Sequence, residues 1–264
     1  MITKAQIFLN GIGLHELDES IVLQSINEEA PGMNRTLTGL GGGIGSWVSS
    51  TARQNLDVDV EFCIRNIDDY QKRVEVLDMV RSWAAAGGVV KTNYRSGTAL
   101  YVDAEELPAT GYVREWTNKY HLRFRAHGVP YWVDSRVTSQ QHKKVTDTTV
   151  VFELGGSAPA PLGFTVENTG TKEINTIALE VGGREIRFTG AHLQPGEYLR
   201  LDYDMMTGLQ AIAIRNADGS KREALSLRTI ESADDLWLQP GANEVHLISG
   251  RPALFTLTTR GRWV

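Results

Sequence analysis

Apolar and polar residues alternate along most of this chain, at the two-residue period of strands that bury one face. Ile7-Phe8-Leu9 and Ile21-Val22-Leu23 predict two short opening strands. Strand patterning returns from Trp47 to Ile64, with strict alternation from Leu56 to Phe62. Val89 to Tyr94, Ala99 to Val102 and Lys119 to Ala126 predict three more, the last interleaving aromatic and aliphatic residues with cations. One segment has another period. Tyr70, Val74, Leu77, Val80 and Ala84 recur at spacings of three and four, which predicts a helix over about 68–86. Asp68 is its candidate N-cap, Gln71 completes a capping box, and Gly87-Gly88 stops it.

Between 31 and 46 the alternation ceases. Pro31-Gly32-Met33-Asn34 and Gly39-Leu40-Gly41-Gly42-Gly43-Ile44-Gly45-Ser46 offer no face to bury. Glycine also loses the most backbone entropy on ordering, so a loose arm, ordered only by a neighbour, is the expectation. Gly39, Gly41, Gly42, Gly43 and Gly45 mark this candidate inter-subunit arm. A polar run from Ser135 to Asp147 reads as a crossover between two domains, 1–136 and 137–264. From Thr148 onward the signal is nearly all strand, punctuated at Gly155-Gly156, Gly182-Gly183, Pro195-Gly196, Asp218-Gly219 and Pro240-Gly241, the spacing of a β-sandwich. In each Pro-Gly pair, Pro presets a negative φ and Gly accepts the positive φ that a type II turn requires. No second helix of comparable strength and no fixed-period repeat is present.

With 264 residues, 41% hydrophobic and 22% charged, the chain can build two cores or one large one. Its formal net charge of −5 argues against a general nucleic-acid or anionic-membrane binder, which needs a basic patch. The first residues lack a signal-peptide core, and no apolar run approaches a membrane span. The single cysteine, Cys63, lies in an apolar strand. It excludes an internal disulfide framework and reads as a buried thiol in a chain first folded in a reducing cytoplasm.

Catalytic chemistry finds no constellation. The six histidines, His15, His121, His127, His142, His192 and His246, lack the helical pairing of a zinc-protease motif, and no Gly-x-Ser-x-Gly elbow occurs. The glycine run lacks both the Lys-Ser/Thr ending and the following helix of a phosphate-binding loop. Asp57, Asp59 and Glu61 share one face of their strand about 7 Å apart, opposite Leu56, Val58, Val60 and Phe62. That spacing lies within the range of inverting glycosidase carboxylates. Two such groups must flank a sugar from opposite sides, however, so a solvated acidic face is the plainer reading. No catalytic residue, metal or cofactor is assigned.

The later part of the chain resembles the distal tail (Dit) proteins of siphophages, the Sipho_tail family. The features that carry this run in family order. Pro130-Tyr131-Trp132 closes the first domain and Gly156-Ser157-Ala158-Pro159-Ala160-Pro161-Leu162 opens the second. Leu193-x-Pro195-Gly196-Glu197-Tyr198-Leu199-x-Leu201-Asp202, Leu236-x-Leu238-x-Pro240-Gly241-x-Asn243 and a closing aromatic strand follow. That strand ends Arg260-Gly261-Arg262-Trp263 where the family usually has Arg-Pro-Arg. The N-terminal half matches by layout, one helix among strands after a glycine-rich arm.

The resemblance implies a mainly β fold with one main helix. A tail-tube-like N-terminal β-sandwich or split barrel would form the belt, followed by a C-terminal galectin-like β-sandwich. It implies a structural virion component and no enzyme: a hexameric ring in the tail tip, assembled in the host cytoplasm. The ring would join the tail tube protein to the tail-tip hub and dock peripheral proteins, including a receptor-binding protein. DNA would meet it only in transit, and no membrane insertion is implied. Asp57, Asp59 and Glu61 would then line the ring lumen. The alternative is a carbohydrate-binding sandwich recognising host glycans, with Trp237 and Tyr198 as stacking plates, although both residues are expected to pack into the sandwich.

Overall fold

The structure is a computed structural model that describes residues 4–29, 32–39, 46–67, 69–109, 119–205, 207–216 and 218–264. The chain forms two compact units, the first made mostly of Met1–Trp132 and the second of Val133–Trp263. It is mainly β with one main helix, as the periodicity predicts.

The first unit contains β1 (Ile7–Leu9), β2 (Ile12–Gly13), the single turn α1 (Leu14–Leu17), β3 (Ile21–Glu29), β4 (Met33–Gly39), β5 (Ser46–Arg53) and β6 (Leu56–Ile64). The helix α2 (Tyr70–Ala85), β7 (Gly88–Thr92), β8 (Thr98–Glu106) and β9 (Lys119–Ala126) complete it. Its main sheet runs β2-β1-β7-β8-β9-β6-β3. β8 carries the sheet around a corner: Leu100–Val102 pair with β7, while Asp103–Glu106 pair with β9 across a bulge after Ala104.

The core follows from alternation. Leu56, Val58, Val60 and Phe62 of β6 are buried to 2% or less, and they cluster with Val76, Leu77, Val80 and Ala84 of α2. Trp83 meets Phe124 edge to face at 5.9 Å, and its Nε1 donates to the Ile12 carbonyl. α2 begins at Tyr70 with Asp69 as N-cap, whose Oδ1 accepts from the Gln71 N–H at 2.8 Å; Asp68 lies outside the described residues. Tyr70, predicted on the apolar face, is 45% exposed, because that face starts one turn later. Gly87, at φ 57, stops the helix as expected. The Asn10-Gly11 turn between β1 and β2, with both φ positive, docks there: the Asn10 side chain donates to Gly87 O and accepts from Val89 N.

Within the stretch expected to be an aperiodic arm, Met33–Gly39 form a strand, β4, which pairs with β5. β4 and β5 pair from Met33↔Arg53 to Gly39↔Ser46 as a separate two-stranded sheet, with a bulge after Thr36. Alternation reports burial, not pairing, and this hairpin presents Met33, Leu37 and Val48 to solvent at 52%, 61% and 43%. Gly39 ends β4; Gly41, Gly42, Gly43 and Gly45 lie outside the described residues.

After β10 (Trp132–Asp134), the second unit contains β11 (Thr138–Leu154), β12 (Ala160–Pro161), β13 (Gly163–Glu167), β14 (Ile174–Val181), β15 (Arg184–Leu193), β16 (Tyr198–Tyr203), β17 (Gln210–Arg215) and β18 (Lys221–Glu223). A short 3-10 turn (Leu225–Leu227), β19 (Trp237–Leu238), β20 (Gly241–Thr259) and β21 (Arg262–Trp263) follow. The expected crossover over Ser135–Asp147 is therefore mostly strand. Its polarity is that of an edge: among the described residues β11 pairs with β20 alone, and it keeps mostly exposed side chains.

β20 is the spine of this unit. Val245–Ser249 pair with β14, and Leu254–Thr258 pair with β13, so the β11–β20 ribbon serves both parts of the sandwich. Phe152, Phe164, Phe188 and Phe255 fill the core between them. Both Pro-Gly turns have positive φ at glycine, 82° at Gly196 and 94° at Gly241. Each is clamped by a buried asparagine. Asn168 accepts from Gly196 N through its main-chain carbonyl and donates from Nδ2 to Leu193 O. Asn243 accepts Gln239 N at 2.8 Å and donates to Gln239 O at 2.7 Å.

Candidate functional site

The acidic face expected of Asp57, Asp59 and Glu61 exists, but cations partner it. β9 lies antiparallel beside β6 and sets Arg125 opposite Asp57, Arg123 opposite Asp59 and His121 opposite Glu61. Arg125 donates to both Asp57 oxygens at 2.7 and 2.6 Å, and through Nη1 to Glu105 at 2.6 Å. Arg123 Nε reaches Asp59 at 2.7 Å, and His121 Nε2 lies 3.4 Å from Glu61. Asp57 is 8% exposed. Its hydrogen bonds from Arg125 outweigh burial and hold its carboxyl below the usual range, while the Arg123 and Arg125 guanidiniums are pushed up by their carboxylates. The alternating cations of β9 in the sequence are the signal for this ladder. Partnered by Arg125, Arg123 and His121 along one strand face, the three carboxylates are unsuited to flank a glycosidic bond.

At the foot of the β4–β5 hairpin the ladder borders an open groove of about 350 Å³. Glu29, Asn34, Arg53 and Gln54 line it beside Asp57 and Arg125. Gln54 donates to Asn34 at 2.7 Å, and the Arg53 guanidinium lies 4.8 Å over the Tyr131 ring. Hairpin, groove and ladder thus share one region of the first unit.

A hub that sequence reasoning missed locks this region. Glu28, one residue before the end of β3, accepts from Tyr94 Oη at 2.8 Å, Arg95 Nη2 at 2.7 Å and Trp132 Nε1 at 3.0 Å. Arg95 also stacks 5.3 Å over the fully buried Trp132 ring. Burial and Glu28 both push the Tyr94 hydroxyl up, so it stays a donor. Trp132 carried a sequence signal through its Pro-Tyr-Trp context. Glu28 carried none, because its partners lie 66 to 104 residues away.

In the second unit Trp237 is partly buried, in line with its expected packing. Arg262 lies 5.2 Å over its ring, and its Nε1 donates to Asp235 at 3.0 Å. One stacking face and the polar tip are thereby used. Tyr198, also half-buried, sits in β16 opposite Glu167 and Arg215, away from the β12–β19 pair that holds Trp237. The structure does not join the two into one sugar-binding plate. Among the described residues, no three His, Cys, Asp or Glu side chains converge as metal ligands.

No family model and no curated relative matches the sequence. Solved structures do match. The crystal structure of the SPP1 Dit (gp 19.1) protein, presented as a paradigm of hub adsorption apparatus in Gram-positive infecting phages, aligns with a TM-score of 0.70 at 10% identity, covering 98% of this chain and 99% of that one. The phage P2 baseplate in its activated conformation with Ca aligns with a TM-score of 0.45 at 7% identity, covering 97% and 98%. The first likeness establishes that this chain has the fold of that Dit protein from end to end.

Proposed function

We propose that this chain is a siphophage or prophage distal tail protein, a structural and non-enzymatic part of the virion tail tip. In this reading its first unit closes a six-fold ring between the tail tube and the tip hub, and its second unit docks peripheral tip proteins. The observation that carries it is the end-to-end fold likeness to SPP1 Dit. Two features of the chain support the ring. The β4–β5 hairpin stands alone as a two-stranded sheet, a form marginally stable in water without a partner surface. Among the described residues β3 also ends the main sheet, leaving an edge on which a neighbour's strand can add. A cyclic ring needs two different surfaces on each copy, as head-to-tail contacts do.

The ladder face is the proposed lumen wall, with DNA in transit. Seven carboxylates (Glu29, Asp57, Asp59, Glu61, Asp103, Glu105 and Glu106) stand along this face and its β8 flank against three permanent cations (Lys119, Arg123 and Arg125), so each copy leaves a net negative charge. Such a wall repels phosphates weakly and binds them nowhere. The sugar-binding alternative loses its best plate to the Arg262–Trp237 contact. Native mass spectrometry tests the assembly, with a closed hexamer expected. A chain that stays monomeric at high concentration, with tail partners present, overturns the ring.

A further inference from the structure

Among the described residues the sandwich of the second unit has three lateral edges, β15, β18 and β11. Two of them are closed. Along β15, Thr229 N donates to Arg187 O at 2.9 Å, Ala233 N donates to Glu185 O at 2.7 Å, and Arg228 bridges Phe188. β18 is three residues long, too short to template another chain. β11 is different. It pairs with β20 on one side, and among the described residues no strand lies on the other.

The first half of β11 is blunted by the usual devices against edge pairing. Its register slips between His142 and Val145 and again before Asp147, Lys144 sits at φ 57, and Lys143 and Lys144 are exposed. The second half carries none of these. Asp147–Leu154 run in unbroken register against Ile248–Gly241, and Thr148, Thr149, Val150 and Val151 form a β-branched block. Val150, Phe152 and Leu154 turn to the core, while Val151 is 53% exposed on the outer face. Alternate residues of such a strand hold their N–H and C=O outward with no protein partner.

We propose that the Asp147–Leu154 edge accepts an extended strand of a different protein, one with an apolar β-branched residue set against Val151 and lysine or arginine on either side of it. The charge pattern decides the partner. On the outer face Glu153 lies next to Val151 on one side and Asp147 lies beyond Thr149 on the other, Asp147 held at 2.7 Å by His246 Nε2 of β20; Glu244 lies directly opposite Val151 on β20. A second copy of this chain fits poorly. Antiparallel self-pairing centred on Val150 would set Asp147 against Glu153 twice, and like charges directly opposite are destabilising. Main-chain bonds would supply affinity, and the Val151 contact with its acidic flanks would supply specificity. The existence of a partner rests on the docking role proposed above; the place and mode of docking rest on this edge.

A seven-residue peptide alternating valine and threonine between terminal lysines, titrated into the full chain, tests the proposal by amide hydrogen exchange and affinity. The amides of Asp147–Leu154 should gain about tenfold protection. Affinity should fall at least about tenfold when alternate peptide amides are N-methylated, when glutamate replaces the lysines, and in the Val151→Lys chain with its melting temperature unchanged. Absence of binding, equal binding by the N-methylated peptide, or protection located elsewhere overturns the proposal. Concentration-dependent protection of these amides without peptide assigns the edge to a second copy and also overturns it. Reconstituted tail particles separate this idea from the docking role. If particles built with Val151→Lys recruit peripheral proteins as well as the parent, docking stands and strand addition falls. If the parent recruits none, the docking role itself fails.

Discussion

Asp57 has both carboxylate oxygens on Arg125 at a site 8% exposed, so removing it leaves a guanidinium facing a half-dry sheet surface. The Asp57→Asn variant should lose about 1–3 kcal/mol of stability at neutral pH, read from the urea midpoint. The Asp57 pKa is lowered in the folded chain from an ordinary 3.8. Its contribution is therefore fully present above that ordinary value and is lost as pH falls through the lowered one. The variant's acid unfolding curve should be flatter over that window, and an unchanged curve would count against the pair. A neutral residue makes a matching case. Asn243 bridges both ends of the Pro240-Gly241 turn from an 8% exposed position. Asn243→Ala should cost about 2–3 kcal/mol, whereas Asn175→Ala, which removes only an exposed bond to Glu173, should cost little.

At the scale of elements, the β4–β5 hairpin is where stability and assembly separate. Leu37 and Val48 face each other across it and are exposed at 61% and 43%. Lysine at both positions should leave the melting temperature within a degree or two while dissociating the ring in native mass spectra. A large drop in melting temperature with the ring intact would show that the pair packs within the chain instead. This element also marks the limit of reading the sequence. Elements that bury one face were legible: β6 from Leu56, Val58, Val60 and Phe62, α2 from its three-and-four spacing, and both Pro-Gly turns. Elements that bury neither face were not. β4 and the first half of β11 are strands by pairing alone, and pairing leaves no period in the sequence. The ladder was half legible, since its acids and its cations were each visible but their register across β6 and β9 was not.

For the whole molecule, the acidic excess of the ladder face sets how a ring would treat DNA. Glu29 and Glu61 can be reversed in sign without touching the Asp57–Arg125 or Asp59–Arg123 pairs. Lysine at both should cancel the acidic excess of the face, and the assembled ring should then bind duplex DNA more tightly than the parent, with an affinity that falls steeply with salt. No gain in binding would place the face away from the lumen. The β11–β20 ribbon imposes a different constraint, one of time. Its partners stand about ninety residues apart at Leu154↔Gly241 and about a hundred and twenty apart at Thr138↔Thr259. Such distant pairing makes closure slow. As the chain is synthesised from its N-terminus, β11 must wait for almost all of the second unit to emerge before its partner exists. The open half of β11 is thus exposed longest to passing strands, and the lysines and bulges of its first half guard the newborn chain as much as the finished one.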